Sequence, residues 1–242
     1  MKSISVIIPA LNEERFLGET LQRLHEAVRT LQSSHDCPAQ VIVVDNASED
    51  QTAGVARRLG AIVVPEPIRN IARARNTGAR MAEGKVLFFL DADTLVPPSV
   101  LARVVTGMGD PMSVGGAVDV QHCPSRAFVR LYLRFWRVLG RLGGMAQGAA
   151  QFWDREQFFI QGGYDETIYM GEDVEFYWRM KRVARKQGRK LCYISDLQVI
   201  PSPRRFDRWP LWKTLVWTNP VLVVLLRHRK GPWRGWYEDV PR

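Results

Sequence analysis

Two carboxylates stand one residue apart at Asp91 and Asp93, directly after the apolar run from Val86 to Leu90. A β-rich run without alternation is typical of a strand inside a parallel sheet, covered on both faces. Open α/β sheets bind ligands at the carboxyl ends of such strands. Because carboxylate oxygens suit Mg²⁺ or Mn²⁺, the pair predicts a metal site. The alternative is that the two acids only cap the helix after Pro97.

Three more polar loops follow predicted strand ends: "PALNEE" after the first strand, "DNASED" after the second and "EPIRNIARARN" after the third. The carboxyl ends of parallel strands share one edge of a sheet, so we expect all four loops to meet in one crevice. An acid after the second strand, Asp45, can accept a hydrogen bond from a base ring N–H, and a diphosphate needs a metal or basic side chains. The loops therefore predict a nucleotide site, although Asp45 and Asp50 are also common turn formers.

The elements that position these loops alternate strand and helix. "SISVIIPALNEERFLGETLQRLHEAVRTLQ" passes from a β-branched run to apolar residues at helical spacing, and "AQVIVVDNASEDQTAGVARRLG" repeats the plan. Ser48 and Gln51 have the spacing of a capping box at the start of the second helix. "AIVVPEP", "NIARARNTGARMAEG" and "KVLFFLDAD" continue as strand, helix and strand. The alternation predicts an α/β fold with a mainly parallel central sheet and helices on both faces.

The pattern changes beyond Pro98. We expect a helix over 99–107, a strand in "SVGGAVDV" and then a long helix in "RAFVRLYLRFWRVLGRL", followed by a flexible loop in "GRLGGMAQG" near the acceptor. The arginines of the long helix fall within about 80° of arc, and are either the wet face of a packed helix or a membrane-binding stripe. They are Arg126, Arg130, Arg134, Arg137 and Arg141.

The composition limits the class of protein. A chain of 242 residues with 46% hydrophobic composition can bury one large domain, with or without an appendage. A net charge of +9 indicates an anionic partner, which could be nucleic acid, a phosphate-bearing small molecule or an acidic membrane. The three cysteines lack the spacing of a zinc site or a disulfide framework, which favours a reducing compartment. The start of the chain is too short and too charged for a signal peptide, so we expect a cytoplasmic location.

The last segment is basic and rich in tryptophan. Between Lys213 and Arg227 lies a largely apolar run of thirteen residues, interrupted by Asn219-Pro220, whereas a membrane span needs about 20. An interfacial segment anchored by Trp, Arg and Lys is the expectation, peripheral at the inner face of the cell membrane. We expect a domain over 1–200, with a nucleotide-binding half over about 1–98 and an acceptor half over about 99–200, and then an extension over 201–242.

Several motifs together resemble glycosyltransferases of family 2, with the GT-A fold, over roughly residues 3–200. They are "VIIPALNEE", "VVDNASEDQT", "ARNTGAR", the D-x-D motif "DAD", "GGYDE" and "GEDVEFYWR". Each motif is weak alone, and the ordered set is specific. The resemblance implies an inverting enzyme of the hexosyltransferase type, with a nucleotide-diphosphate sugar as donor, UDP-linked by expectation, and Mn²⁺ or Mg²⁺ as cofactor.

The resemblance also implies roles for individual residues. Asp93 is the expected direct metal ligand, together with Asp91. Asp173, paired with Glu172, is the expected general base, which takes the proton from the acceptor hydroxyl. Family members often carry a late histidine over the diphosphate, and this chain has "VIPSPRRFDR" instead. The expected nucleotide-sugar-binding residues are Pro9, Ala10, Leu11, Asn12, Glu13, Asp45, Asn46, Arg75, Asp91, Ala92, Arg204 and Arg205.

Other interpretations remain open at this point. Glu172, Asp173 and Glu175 could be a solvated first helical turn, and Arg75 part of a solvated basic face. The chain could be a non-catalytic basic module that binds membrane or nucleic acid, although carboxylates in the crevice disfavour an anionic polymer, and no nucleic acid is expected. A sugar nucleotidyltransferase usually has a Gly-rich basic loop where this chain has "PALNEE". The acceptor is open: lipid-linked, a glycan or a small molecule.

Overall fold

The computed structural model describes residues 3–142, 148–229 and 231–233. Its strands are β1 Ile4–Ala10, β2 Ala39–Asp45, β3 Ile62–Pro65, β4 Val86–Leu90, β5 Thr94–Leu95, β6 Ser113–Val120, β7 Ala150–Asp154 and β8 Lys190–Pro201. They form one sheet in the order β3-β2-β1-β4-β7-β6-β8-β5. Its helices are α1 Leu17–His35, α2 Thr52–Arg58, α3 Ile71–Met81, α4 Val100–Gly107, α5 Ala127–Leu142, α6 Arg155–Ile160, α7 Glu172–Lys186, α8 Arg204–Arg208, α9 Leu211–Trp217 and α10 Pro220–Leu226.

Helices cover both faces of the sheet, as predicted. Successive side chains of a strand point to opposite faces. Accordingly Phe88 of β4 packs in a core cluster with α1 and α4, and the next residue, Phe89, packs in a second cluster with α3 and α7. Both faces are buried, and this explains why the run from Val86 to Leu90 shows no polar alternation.

The N-terminal part of the sheet is parallel and the C-terminal part is mixed. β1 pairs parallel with both β2 and β4, and β2 with β3. The short strand β7 runs antiparallel to both β4 and β6 and joins the two parts. The α/β prediction, the helix after Pro98 and the strand "SVGGAVDV" are confirmed, whereas β7 was missed. Its sequence "AQFWD" is short and contains Gln151, which is fully buried.

The capping-box prediction for α2 is wrong. The helix begins at Thr52, and its N-cap Gln51 makes no side-chain cap bond. Asp50 caps the turn instead: its Oδ1 accepts a hydrogen bond from Thr52 N at 2.9 Å. The hydroxyl of Ser48 is engaged elsewhere, since it accepts from the backbone N–H of Asn12 at 3.0 Å. Hydrogen bonds to Asp50 and between the two loops therefore take the place of the predicted capping box.

Helix α5 exposes an apolar face beside its arginine stripe. It is therefore not simply a packed helix whose arginine face alone is exposed to solvent. Arg137 pairs with the buried Asp119, and Arg126 donates to the carbonyl of Trp209 at 2.7 Å. These two arginines therefore contact other parts of the protein. The exposed apolar residues are Phe128, Leu131, Phe135, Val138 and Leu139.

The tail consists of short helices. Thr218 and Asn219 separate α9 from α10, so the apolar run is interrupted as the sequence indicated. Within the ranges that the structure describes, no helix has the length and apolar character needed to cross a membrane. Residues 143–147, in the loop expected near the acceptor, lie outside the described residues.

Candidate active site

A cavity of about 190 Å³ opens at the carboxyl edge of the parallel strands. The ends of β1, β2 and β4, the start of α3 and the first turn of α7 surround it, and α8 closes one side. Of the residues predicted for the site, the cavity is lined by Pro9, Ala10, Leu11, Glu13, Asn46, Arg75, Asp91, Ala92, Asp93, Glu172, Asp173, Arg204 and Arg205. The expected convergence of loops is therefore present, and the roles of these residues stay predictions.

Arg75 connects the two ends of the cavity. Its side chain is 3% exposed, which excludes the solvated-face alternative. Its Nη2 donates to Asp91 Oδ1 at 2.8 Å, and its Nη1 donates to the carboxylate of Glu172. Burial opposes its charge, but the nearby carboxylates of Glu172 and Asp91 outweigh this, and the pKa of Arg75 is raised. One fixed cation thus ties the end of β4 to the start of α7.

The two aspartates of the D-x-D motif are both held by arginine. Asp93 Oδ2 lies 3.1 Å from Arg204 Nη2, and Asp91 pairs with Arg75. Burial raises the pKa of Asp91, against the opposing effect of Arg75. Neither caps the following helix, because α4 begins after Ser99 without a side-chain cap bond. Both carboxylates instead face the cavity.

This donor set fits a divalent cation that shares its coordination with a substrate. Mg²⁺ is commonly bound through one or two carboxylates plus substrate phosphates, with water in the remaining positions. Asp93 and Asp91 supply two such carboxylates. Accordingly, among the described residues there is no group of three or more metal-binding side chains, and a site completed by phosphate oxygens does not need one.

Arg204 and Glu13 form a buried ion pair in the wall of the cavity. Arg204 Nη2 donates to Glu13 Oε1, and the guanidinium lies 4.2 Å from the ring centroid of Phe16. Burial raises the pKa of Glu13, against the opposing effect of Arg204. Arg204 Nε and Nη1 are buried and find no hydrogen-bond partner within the described part of the chain. Buried donors of this kind normally have partners, so these two N–H groups are suited to an anionic ligand.

Glu172 and Asp173 begin α7, directly after Gly171, which has a positive φ of 78°. The side chain of Glu172 is 5% exposed beside Arg75, so the solvated-turn alternative is wrong for this residue. Asp173 lines the cavity, and the nearby backbone N–H groups of Val174 and Gly148 favour its charged form. Burial, opposed by Arg75, raises the pKa of both carboxyls.

Gly148 contacts the carboxylate of Asp173 more closely than any residue with a side chain could. A Cβ on Gly148 would lie 2.5 Å from the Cβ of Asp173, below any normal contact distance. Glycine is used where backbone must approach another group this closely. The sequence interpretation placed Gly148 only in a flexible loop, and its contact with Asp173 spans 25 residues that no local pattern connects.

Two predicted residues are absent from the cavity lining that the structure describes, Asn12 and Asp45. Asp45 Oδ1 accepts from Ser48 N at 3.1 Å, and Asn12 Oδ1 accepts from Glu49 N at 2.6 Å. Both shape the loop after β2 at the same edge of the sheet. Conversely, the cavity is also lined by four residues that the sequence analysis did not single out, namely Ile71, Tyr169, Met170 and Gly171.

Comparison with known proteins identifies the family. The profile described as Glycosyl transferase family 2 matches residues 5–162, more than half of the chain. Dolichyl-phosphate beta-glucosyltransferase from Mus musculus is 32% identical over 267 aligned positions, which cover 96% of this chain and 78% of that protein. Glycosyltransferase AglE from Haloferax volcanii is 34% identical over 48% of this chain, and the match spans 39% of AglE. An undecaprenyl-phosphate 4-deoxy-4-formamido-L-arabinose transferase from Pseudomonas fluorescens is 31% identical over 48% of this chain and 35% of its own length.

Solved structures share the fold. The mannosyltransferase PcManGT from Pyrobaculum calidifontis, in complex with GDP-Man and Mn²⁺, superposes with a TM-score of 0.63 at 24% identity, over 95% of this chain and 71% of that one. TarS 1–349 from S. aureus, in complex with UDP-GlcNAc, gives a TM-score of 0.63 at 18% identity, over 84% and 59%. The GT-A fold prediction is thereby confirmed. With a matching profile over more than half its length and a relative aligned almost end to end, the chain belongs to glycosyl transferase family 2 and is a glycosyltransferase.

Proposed function

We propose that the protein transfers a sugar, with inversion, from a nucleotide-diphosphate donor to a hydroxyl of a lipid-linked acceptor. The observation that carries the proposal is that Asp93 and Asp173 line the same cavity. A carboxylate that can bind a metal and a second, half-buried carboxylate are what a single in-line displacement requires, since it needs a stabilised leaving group and one base.

The arginines of α8 support diphosphate binding. The buried Nε and Nη1 of Arg204 lack protein partners in the described ranges, and Arg205 lines the same cavity. Charge-assisted bonds from arginine to phosphate oxygens are short and strong. These residues stand where the family often has a histidine. UDP- and GDP-sugars both occur among proteins of this fold. UDP therefore remains the proposed nucleotide of the donor, and GDP is the alternative to test.

Asp93 and Asp91 are proposed to hold Mn²⁺ or Mg²⁺. When bound, such a cation neutralises charge on the diphosphate leaving group. The chain's own contribution is to fix the two carboxylates: Arg75 orients Asp91, and Arg204 contacts Asp93 at 3.1 Å. Arg75 also favours the ionised, ligating form of Asp91 and so opposes the effect of burial on the pKa of this carboxyl.

Asp173 is proposed as the general base. The backbone N–H groups of Gly148 and Val174 lie near its carboxylate and favour the charged form. The carboxylate takes the proton from the acceptor hydroxyl as the new bond to the sugar forms. Glu172 is buried and ion-paired with Arg75. We therefore propose that Glu172 has a positioning role, because through Arg75 it links the start of α7 to the end of β4. The raised pKa of Asp173 makes it a stronger base than an exposed aspartate.

A lipid-linked acceptor and a peripheral location are supported by the surface. Apolar side chains are exposed along α5 and α9 next to basic ones, for example Phe135 and Trp212 at 56% and 59% exposure. Exposed apolar area beside positive charge favours the interface of an anionic membrane. Two relatives carry dolichyl phosphate and undecaprenyl phosphate in their names. The domain up to about residue 200 would then form the catalytic unit together with α8, whose Arg204 and Arg205 line the cavity, and the membrane-facing part of the extension would begin at α9.

Thermal melting with nucleotide sugars tests the donor assignment. A ligand that binds only the folded state raises its apparent stability by mass action. We expect UDP-sugars to raise the melting temperature with Mn²⁺ more than without it, and GDP-sugars to do so less. An equal rise in melting temperature with every nucleotide sugar, with and without metal, would contradict the metal-dependent site. A rise only with GDP-sugars would overturn the assignment of UDP as the donor nucleotide.

A further inference from the structure

A second cavity adjoins the active site, and it is apolar. We call it the tail groove, and it is lined mainly by Trp136 of α5, Val174 and Trp178 of α7, and Val223, Val224 and Arg227 at the C-terminal helix α10 and just beyond. Three helices thus contribute one surface each. Nothing in the reaction proposed above uses this cavity.

The tail groove adjoins the catalytic cavity. Met170 and Gly171 line both of them. Along α7, Asp173 lines the catalytic cavity and the next residue, Val174, lines the tail groove. The lining of the groove therefore begins one residue away from the proposed base.

Helix α10 packs directly on the loop shared by the two cavities. The backbone N–H of Tyr169 donates to the carbonyl of Arg227 at 2.8 Å. A Cβ on Gly171 would lie 2.9 Å from Val223 Cγ1, so the two segments are in close contact. The C-terminal helix is consequently a fixed wall of the groove next to the catalytic centre.

The polar groups of the tail groove suit the head of an amphiphile. Its acid, Glu175, is neutralised by Arg179, whose Nε and Nη2 both donate to it at 3.0 Å. Arg227 forms no ion pair within the ranges that the structure describes, and its Nε donates to His228 Nε2 at 3.2 Å. Trp136 Nε1 is buried without a hydrogen-bond acceptor in the same ranges. A cation and an orphan N–H donor beside an apolar lining predict a ligand with an apolar body and an anionic group.

We infer that the tail groove binds the apolar chain of a phosphate-bearing lipid acceptor, and that this chain places the reacting hydroxyl next to Asp173. The inference rests on the proposed function, since it names where that acceptor is held. The position of the groove beside the catalytic cavity and the charge of Arg227 favour this occupant over a partner helix, since a partner helix would not need to reach Asp173.

Binding of n-dodecyl phosphate below its micelle concentration tests the site, followed by calorimetry and by the fluorescence of Trp136 and Trp178. We expect dodecyl phosphate to bind, dodecyl maltoside to bind more weakly because it lacks the anion, and glycerol phosphate not to bind because it lacks the chain. Glycerol phosphate binding as tightly as dodecyl phosphate would overturn the inference.

A matched pair of variants on α10 locates the site. Val224 lines the groove, whereas Leu225 is 70% exposed and is not part of the lining. We expect Val224→Asn to weaken dodecyl phosphate binding by about tenfold, the factor for losing burial of a Val-sized side chain, and Leu225→Asn to leave it unchanged. Equal affinity of the two variants, or weakening only by Leu225→Asn as for a protein or membrane docking on the outer face, would overturn the inference.

Titrating the same proteins with UDP and Mn²⁺ separates this inference from the donor proposal. If UDP does not bind the wild type while the two variants still differ towards dodecyl phosphate, the donor assignment fails and the chain site stands. If UDP binds normally to all three proteins and the variants do not differ, the chain site alone fails. Melting temperatures of the variants within a few degrees of wild type show that the comparison concerns binding and not folding.

Discussion

Replacing Arg75 by methionine should destabilise the protein strongly at neutral pH. Arg75 and Glu172 are 3% and 5% exposed, so the substitution leaves a buried carboxylate without its cation. Breaking a buried ion pair by removing one partner typically costs about 3–5 kcal/mol. Asp91 is 33% exposed, and solvent screens much of its share. We therefore expect the free energy of unfolding to fall by about 3–5 kcal/mol, mostly through Glu172.

The loss should depend on pH with a defined sign. Burial already raises the pKa of Glu172 above the ordinary value of 4.5, while Arg75 opposes this rise. Without Arg75 the folded-state pKa rises further. A carboxyl with a raised folded pKa carries no penalty when it is protonated in both states, and its penalty grows as pH rises above the unfolded value. The destabilisation by Arg75→Met should thus be large at pH 7.5 and shrink towards pH 4.5.

Urea unfolding of Arg75→Met at several pH values measures both effects. Arg80→Met is the matched control, because Arg80 lies on the same helix with an exposed side chain, and surface substitutions usually stay within about 0.5 kcal/mol. Adding Glu172→Gln to Arg75→Met should restore part of the stability, since it removes the orphaned charge. The reasoning is refuted if Arg75→Met loses no more than Arg80→Met at pH 7.5, or if its loss stays constant as the pH falls.

The other predictions concern the reaction and the membrane. Asp173→Asn should cut turnover by about 10²–10⁴-fold with donor affinity retained, and near-full transfer by this variant would show that Asp173 is not the general base. Because burial raises the pKa of Asp173, turnover of the wild type should fall on acidification at a pH above the usual aspartate range. Asp93→Asn should lose Mn²⁺-dependent binding of UDP in calorimetry while its melting temperature stays close to wild type, and unchanged affinity would reduce the motif to a strand terminator. In vesicle flotation the protein should associate with anionic lipid and be released by salt, and Phe135→Ser with Trp212→Ser should weaken this without touching the catalytic cavity; equal recovery with neutral and anionic lipid, or none with either, would count against membrane binding.

The N-terminal part of the fold could be predicted because its signals are local. β1, β2 and β4 each contain a mostly apolar, buried run followed by a polar loop, and the carboxyl-edge rule then brings Glu13, Asn46 and Asp91 together. Strand β7 could not be predicted in this way. It is short, its fully buried Gln151 interrupts the apolar pattern, and its partners β4 and β6 are both antiparallel to it.

Contacts between distant segments account for the rest of the site. The link from Arg75 to Glu172 joins residues 97 positions apart, and the sequence offered only a choice between a solvated arginine and one that reaches the diphosphate. Similarly, Ser48 matched a capping box, but the fold uses its hydroxyl to hold the loop after β1. Residue type and spacing predicted which side chains gather at the cavity, and only the packing shows how they pair.

The contact between Gly148 and Asp173 limits how this enzyme can be recombined with its relatives. A chimera that imports the segment ending at position 148 imports a neighbour of the proposed base, and any side chain at that position would collide with Asp173. Grafts intended to change the acceptor should therefore keep a glycine there, or exchange the start of α7 in the same step. Crossover points that preserve the proposed base and its neighbour lie before Gly148 or after Asp173, and not between these two residues.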